Sequence, residues 1–209
     1  MTALVHAVHR PARPSAHPPG LLVVHGWGAD EHDLLGLAPW LDERLLIVSP
    51  RAPLRLDWGY GWYRFLPGRG AELESFTAAL EQLERFATAL PERYGIDPQF
   101  LFLLGFSQGA ILSAALASLY PRQFRGVALL SGRLPPIPTE AQLAGLPVFL
   151  AHGRFDPVIP VEEGHQLAEA LRAWGATVTT HYSDYGHEIP PATLRDLNAW
   201  LAPLLPEAG

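Results

Sequence analysis

The sequence predicts an α/β fold, a mostly parallel central sheet with helices on both faces. Short, continuously apolar runs at residues 21–24, 45–48 and 99–104 read as strands buried on both sides. Helical periodicity returns between them, so strand and helix signals alternate along the chain. Gly-rich turns follow the carboxyl ends of the runs, where open α/β sheets collect their functional groups.

Taken in order, residues 3–9 alternate weakly through Leu4, Val5, Ala7 and Val8 and suit an edge strand, followed by a Pro-rich turn over 11–19. The strand at 21–24 runs into His25-Gly26-Trp27-Gly28-Ala29-Asp30. Asp30 and Asp33 are alternative caps for a helix over 34–42. After the strand at 45–48, residues 49–70 read as a long loop carrying Trp58, Tyr60, Trp62, Tyr63 and Phe65. From 71 to 90 the apolar positions Leu73, Phe76, Leu80, Leu83, Ala87 and Leu90 recur at three and four, with Glu81 and Arg85 on the wet side, as in an amphipathic helix. The strand over 99–104 meets Gly105-Phe106-Ser107-Gln108-Gly109 and then a helix of small and aliphatic residues ended by Pro121. A strand at 127–130, a Pro-rich connection at 134–146, a strand at 148–151, a helix at about 162–174, a β-branched strand at 177–182, a loop at 184–190 and a helix near 192–204 complete the chain. These elements use up all 209 residues as one domain and leave no room for a cap domain.

Composition narrows the chemistry. A hydrophobic content of 48% with modest charge is that of a globular protein. The net charge of −6, without a basic cluster, lacks the electrostatic footprint of a nucleic-acid binder. All fifteen basic residues are Arg, which excludes a Lys nucleophile or Schiff base, and the absence of Cys excludes thiol nucleophiles, thiolate metal sites and disulfides. His6, His9, His17, His32 and His165 show no paired metal-ligand spacing, so no metal is expected. The first residues are interrupted by His, Arg and Pro, and no run reaches the length of a membrane span, which points to a soluble cytoplasmic protein.

The G-x-S-x-G pentapeptide at 105–109 gains meaning from its place between a buried strand and an apolar helix. At such a corner the flanking residues must be small, and the strained serine is held at the sheet edge beside a helix N-terminus. Three further groups fall at strand ends: the loop at 25–28, Asp156 on the loop at 152–157, and His187 after the last strand. The order Ser, acid, His is that of α/β-hydrolases. In this reading Ser107 is the nucleophile, His187 the base and Asp156 the orienting acid, with Asp184 as the rival acid. Backbone N–H groups of Gln108 and Trp27 form the oxyanion hole. Trp58, Tyr60, Trp62 and Tyr63 are expected to line an apolar acyl pocket, core packing being the alternative. His25 and His152 are read as loop-ordering residues, and His181 as packed or at the surface.

Together His25-Gly26-Trp27-Gly28, Gly105-Phe106-Ser107-Gln108-Gly109-Ala110, His152-Gly153 with Asp156 and Pro160, and Gly186-His187 resemble the phospholipase/carboxylesterase family over about residues 21–204. That resemblance implies a cofactor-free serine esterase with Ser107, Asp156 and His187 as triad, acting on short or medium acyl esters or thioesters. The family often has Trp-Phe-Asp where this chain has Trp62-Tyr63-Arg64, a departure that bears on the shape and charge of the pocket. Two further readings stay open here: a thioesterase or lysophospholipase acting on longer chains, and a non-catalytic binding module on a hydrolase scaffold.

Overall fold

The computed structural model describes residues 4–66, 70–136 and 141–207. Seven strands form one sheet: β1 (His6–His9), β2 (Gly20–Val24), β3 (Leu46–Pro50), then, after two small hairpins, β8 (Leu101–Phe106), β9 (Gly126–Leu130), β10 (Pro147–Gly153) and β11 (Thr177–Ser183). The hairpins pair β4 (Leu54–Arg55) with β5 (Tyr60–Gly61) and β6 (Phe65–Leu66) with β7 (Gly70–Ala71). The sheet order is β1-β3-β2-β8-β9-β10-β11, with β1 antiparallel at one edge and every other pairing parallel.

Alternation along the strands builds two cores. On β2, Leu22 and Val24 face a cluster with α1 (Leu73–Tyr94), α2 (Gln108–Leu119) and α3 (Val161–Ala173), whereas Leu21 and Val23 face a cluster with α4 (Pro191–Leu201). Helix α2 is buried from Gln108 through Ser118, which is why its sequence is apolar or small on all sides. Among the described residues there is no separate cap domain, and no helix is long and apolar enough to cross a membrane.

Three element readings are corrected. The helix expected over 34–42 is a 3-10 helix, Leu34–Trp40, and neither aspartate caps it: Asp33 makes no side-chain cap bond, and Asp30 Oδ1 accepts instead from the His32 N–H at 2.8 Å. Pro39 inside the segment has no N–H to give an α-helical ladder. The loop over 49–70 contains the two hairpins. The last helix gives way at Leu201 to a 3-10 turn, Ala202–Leu204, that contains Pro203. Residues 137–140 of the Pro-rich connection lie outside the described residues.

Candidate active site

The corner between β8 and α2 is built by close approach. A Cβ on Gly105 would lie 2.5 Å from the Gly109 carbonyl oxygen, and one on Gly109 would lie 2.0 Å from the Val24 oxygen, so only glycine fits at either place. Between them Ser107 has φ 54° and ψ −119°, a backbone strain that L-residues rarely adopt, and its N–H is anchored on the Leu130 carbonyl at 2.9 Å.

Asp156 and His187 arrive from the carboxyl ends of β10 and β11. Their loops touch because Gly153 has no side chain; a Cβ there would lie 2.3 Å from the carbonyl oxygens of both Tyr185 and Gly186. Asp156 Oδ1 accepts from the backbone N–H groups of Val158 (2.8 Å) and Ile159 (2.9 Å). Its Oδ2 accepts from His187 Nδ1 at 2.7 Å, which leaves His187 Nε2 to accept from the Ser107 hydroxyl at 2.8 Å. Burial would push the Asp156 carboxyl up, but the bonds from His187, Ile159 and Val158 outweigh it and hold the group below the usual carboxylate range. The Asp156 side chain is fully buried, and the His187 ring packs on Phe106 at 5.0 Å between centroids. Asp184, the rival acid, points elsewhere: it is exposed and pairs with Arg154 at 2.8 Å.

The loop after β2 lies against the serine, since a Cβ on Gly26 would sit 3.3 Å from Ser107 Cβ. His25 orders this loop. Its Nε2 accepts from the Ala52 N–H (3.1 Å), so Nδ1 carries the proton and donates to the Gly26 carbonyl (2.8 Å). Burial lowers its pKa, consistent with a neutral ring. The Gly28 N–H donates to Tyr60 O, and the Tyr60 N–H to Ala29 O, both at 2.8 Å. Among the described residues, the N–H groups of Trp27 and Gln108 have no acceptor, leaving two donors beside Ser107. His152 braces the acid loop, with Nε2 donating to Ile159 O at 2.8 Å. His181 packs on Phe149 and pairs with Asp196.

The four aromatic residues expected to line a pocket separate. Trp58 is 67% exposed and borders a shallow recess with Trp27, Arg55 and Asp57. Tyr60 is half-buried beneath the Arg51 guanidinium. Tyr63 is buried and lines a cavity of about 620 Å³ with Leu66, Leu73, Ile111, Arg133 and Leu134. Trp62 is a correction: it is fully buried, packed on the His25 ring and donating from Nε1 to the His25 carbonyl at 2.9 Å, so it is core and no wall of a pocket.

Two contributors escaped the sequence reading. The Gln108 side chain is buried and bonds the backbone at Trp62 and Tyr63, whereas the motif pointed only to its N–H. Buried Glu31 takes two bonds from Arg51 under the loop that carries Trp27. A Glu twenty positions before an Arg has no sequence signature.

A parallel sheet with its serine corner, flanked by acid and histidine loops, defines an α/β-hydrolase. The chain belongs to the phospholipase/carboxylesterase family, whose model matches residues 6–205. It is similar to the putative hydrolase MhqD of Bacillus subtilis, 26% identical over 86% of this chain and 90% of that one. It is also similar to acyl-protein thioesterase 1 of Gibberella zeae, 27% identical over 92% and 93%. Among solved structures, the Bacillus cereus carboxylesterase superposes with a TM-score of 0.88 at 26% identity, covering 97% of this chain and 95% of that one. The protein is accordingly an enzyme of the esterase and thioesterase class.

Proposed function

We propose that this protein hydrolyses carboxylic esters of short to medium acyl chains through an acyl-enzyme on Ser107. The observation that carries the reading is the unbroken relay from Ser107 Oγ to His187 Nε2 (2.8 Å) and from His187 Nδ1 to Asp156 Oδ2 (2.7 Å). Ser107 Oγ attacks the ester carbonyl carbon as its proton passes to His187 Nε2. Asp156, held ionised, stabilises the imidazolium. The carbonyl oxygen becomes an oxyanion and takes the free N–H groups of Trp27 and Gln108. Collapse breaks the C–O bond, and the departing alkoxide takes the proton from His187. Water then attacks the acyl-enzyme, giving a proton to His187 that returns to Ser107 as the carboxylic acid leaves.

Labelling with a fluorophosphonate, read by mass spectrometry of the modified peptide, tests the assignment. Stoichiometric modification of Ser107 is expected; label on another residue, or none, overturns it. A thioesterase acting on longer chains is the second reading, favoured by the exposed apolar side chains Trp27, Phe65, Leu66 and Leu73 and by the similarity to acyl-protein thioesterase 1. Rates on esters and thioesters of graded length separate the two, because a short pocket rejects long acyl groups.

A further inference from the structure

Three arginines among the described residues are half-buried: Arg44, Arg51 and Arg133. Arg44 pairs with Asp42 and Arg51 with Glu31, but Arg133 has no carboxylate partner among the described residues. Taking a guanidinium partly out of water without an anion carries a cost that an incoming anionic ligand would offset.

Arg133 follows β9 and lines the cavity of about 620 Å³ that it shares with Tyr63 and Ile111. The Tyr63 hydroxyl is buried and has no hydrogen-bond partner among the described residues. Burial pushes this phenol up, and the nearby Arg133 charge offsets part of that effect. An O–H and a guanidinium are both donors, and among the described residues neither has a side-chain acceptor. Leu66, Leu73 and Leu134 supply an apolar wall. Glu163 also borders the cavity but forms no ion pair with Arg133.

The cavity borders α2, the helix that begins next to the nucleophile. Ile111 sits one turn along α2 from Ser107, its N–H bonded to the Ser107 carbonyl at 3.1 Å. None of the lining residues comes from the His187 loop, toward which the alcohol departs. We propose that this cavity is a subsite for a carboxylate at the far end of the acyl group, with Arg133 as its charged anchor and Tyr63 as a second donor. The preferred substrates are then half-esters of short dicarboxylic acids. This rests on the esterase reading above.

The test compares kcat/KM for monoethyl succinate, glutarate and adipate with that for ethyl butyrate, pentanoate and hexanoate, by pH-stat. The wild-type protein is expected to prefer the half-ester in at least one matched pair. In Arg133→Gln the anionic-to-neutral ratio should fall about tenfold or more, as for loss of a hydrogen bond to a charged group. Arg133→Lys should restore part of the ratio, and Glu163→Gln should raise it by removing a like charge. A folding defect alone would lower both rates and leave the ratio in place, which counts against the subsite. Ethyl butyrate hydrolysis with no half-ester preference and no change of ratio in Arg133→Gln overturns the subsite and leaves the esterase reading standing. If no ester is hydrolysed, that reading fails separately. The subsite is then judged by calorimetric titration of glutarate into wild type and Arg133→Gln: binding lost in the variant supports it, and equal or absent binding in both overturns it.

Discussion

Gln108 holds the Trp62–Tyr63 segment from inside the protein: its Oε1 accepts the Trp62 N–H at 2.7 Å, and its Nε2 donates to the Tyr63 carbonyl at 2.8 Å. The residue after the serine therefore fixes the aromatic segment to the same helix turn that offers an N–H beside Ser107. Gln108→Leu leaves a buried N–H and a buried C=O unpaired, each worth about 1–3 kcal/mol. Denaturant unfolding should report a loss of about 2–6 kcal/mol. Gln108→Glu buries a carboxyl beside the Tyr63 carbonyl oxygen, so its loss of stability should grow as pH rises and the carboxyl ionises.

The loop carrying Trp27 rests on an ion pair. Arg51 Nε donates to Glu31 Oε2 at 2.6 Å, and the same guanidinium lies 4.6 Å from the centroid of the Tyr60 ring, whose backbone bonds Gly28 and Ala29. Glu31→Gln is expected to lower kcat more than it changes KM, because it loosens the Trp27 N–H that the proposed mechanism places at the oxyanion. A matched rise in KM with unchanged kcat would show that the brace acts on binding instead.

Gly153 is the contact that lets the acid and histidine loops meet. Gly153→Ala puts a methyl group 2.3 Å from two carbonyl oxygens, and the Tyr185–Gly186 backbone must retreat. Both the melting temperature and kcat should fall, and a crystal structure of the variant should show the His187–Asp156 bond lengthened from 2.7 Å.

Stability should fall on acidification, in two windows. Burial depresses His25 and His152 below the ordinary value of 6.5, so the unfolded chain binds protons that the folded one refuses. Their contribution is present above 6.5 and is lost as pH drops below it toward the depressed folded values. Asp156 is likewise depressed, so its contribution is present above the ordinary 3.8 and disappears as pH falls through its lower folded value. Melting temperatures across pH 8 to 3 should therefore decline first below about pH 6.5 and again below about pH 4. The first decline should shrink in His25→Gln, which cannot take up a proton.

Much of this was legible in the sequence. Strand runs, helical periodicity and the Gly-flanked serine depend on local steric rules, and they located the sheet, the corner and the loops bearing Asp156 and His187. What could not be read depends on partners distant in the chain. Trp62 and Trp58 look alike in sequence, yet one is capped by His25 and Gln108 while the other lies on the surface. The 3-10 segment over Leu34–Trp40 turned on a single proline. Arg133 drew no notice because its significance is the carboxylate partner that it lacks among the described residues.

The most direct test is turnover of ethyl or p-nitrophenyl esters by Ser107→Ala, with circular dichroism matched to the wild type. The acyl-enzyme account predicts a loss on the order of 10⁴ to 10⁶ in kcat, because removing the attacking oxygen disables the whole relay. Hydrolysis at an undiminished rate by this variant would contradict it.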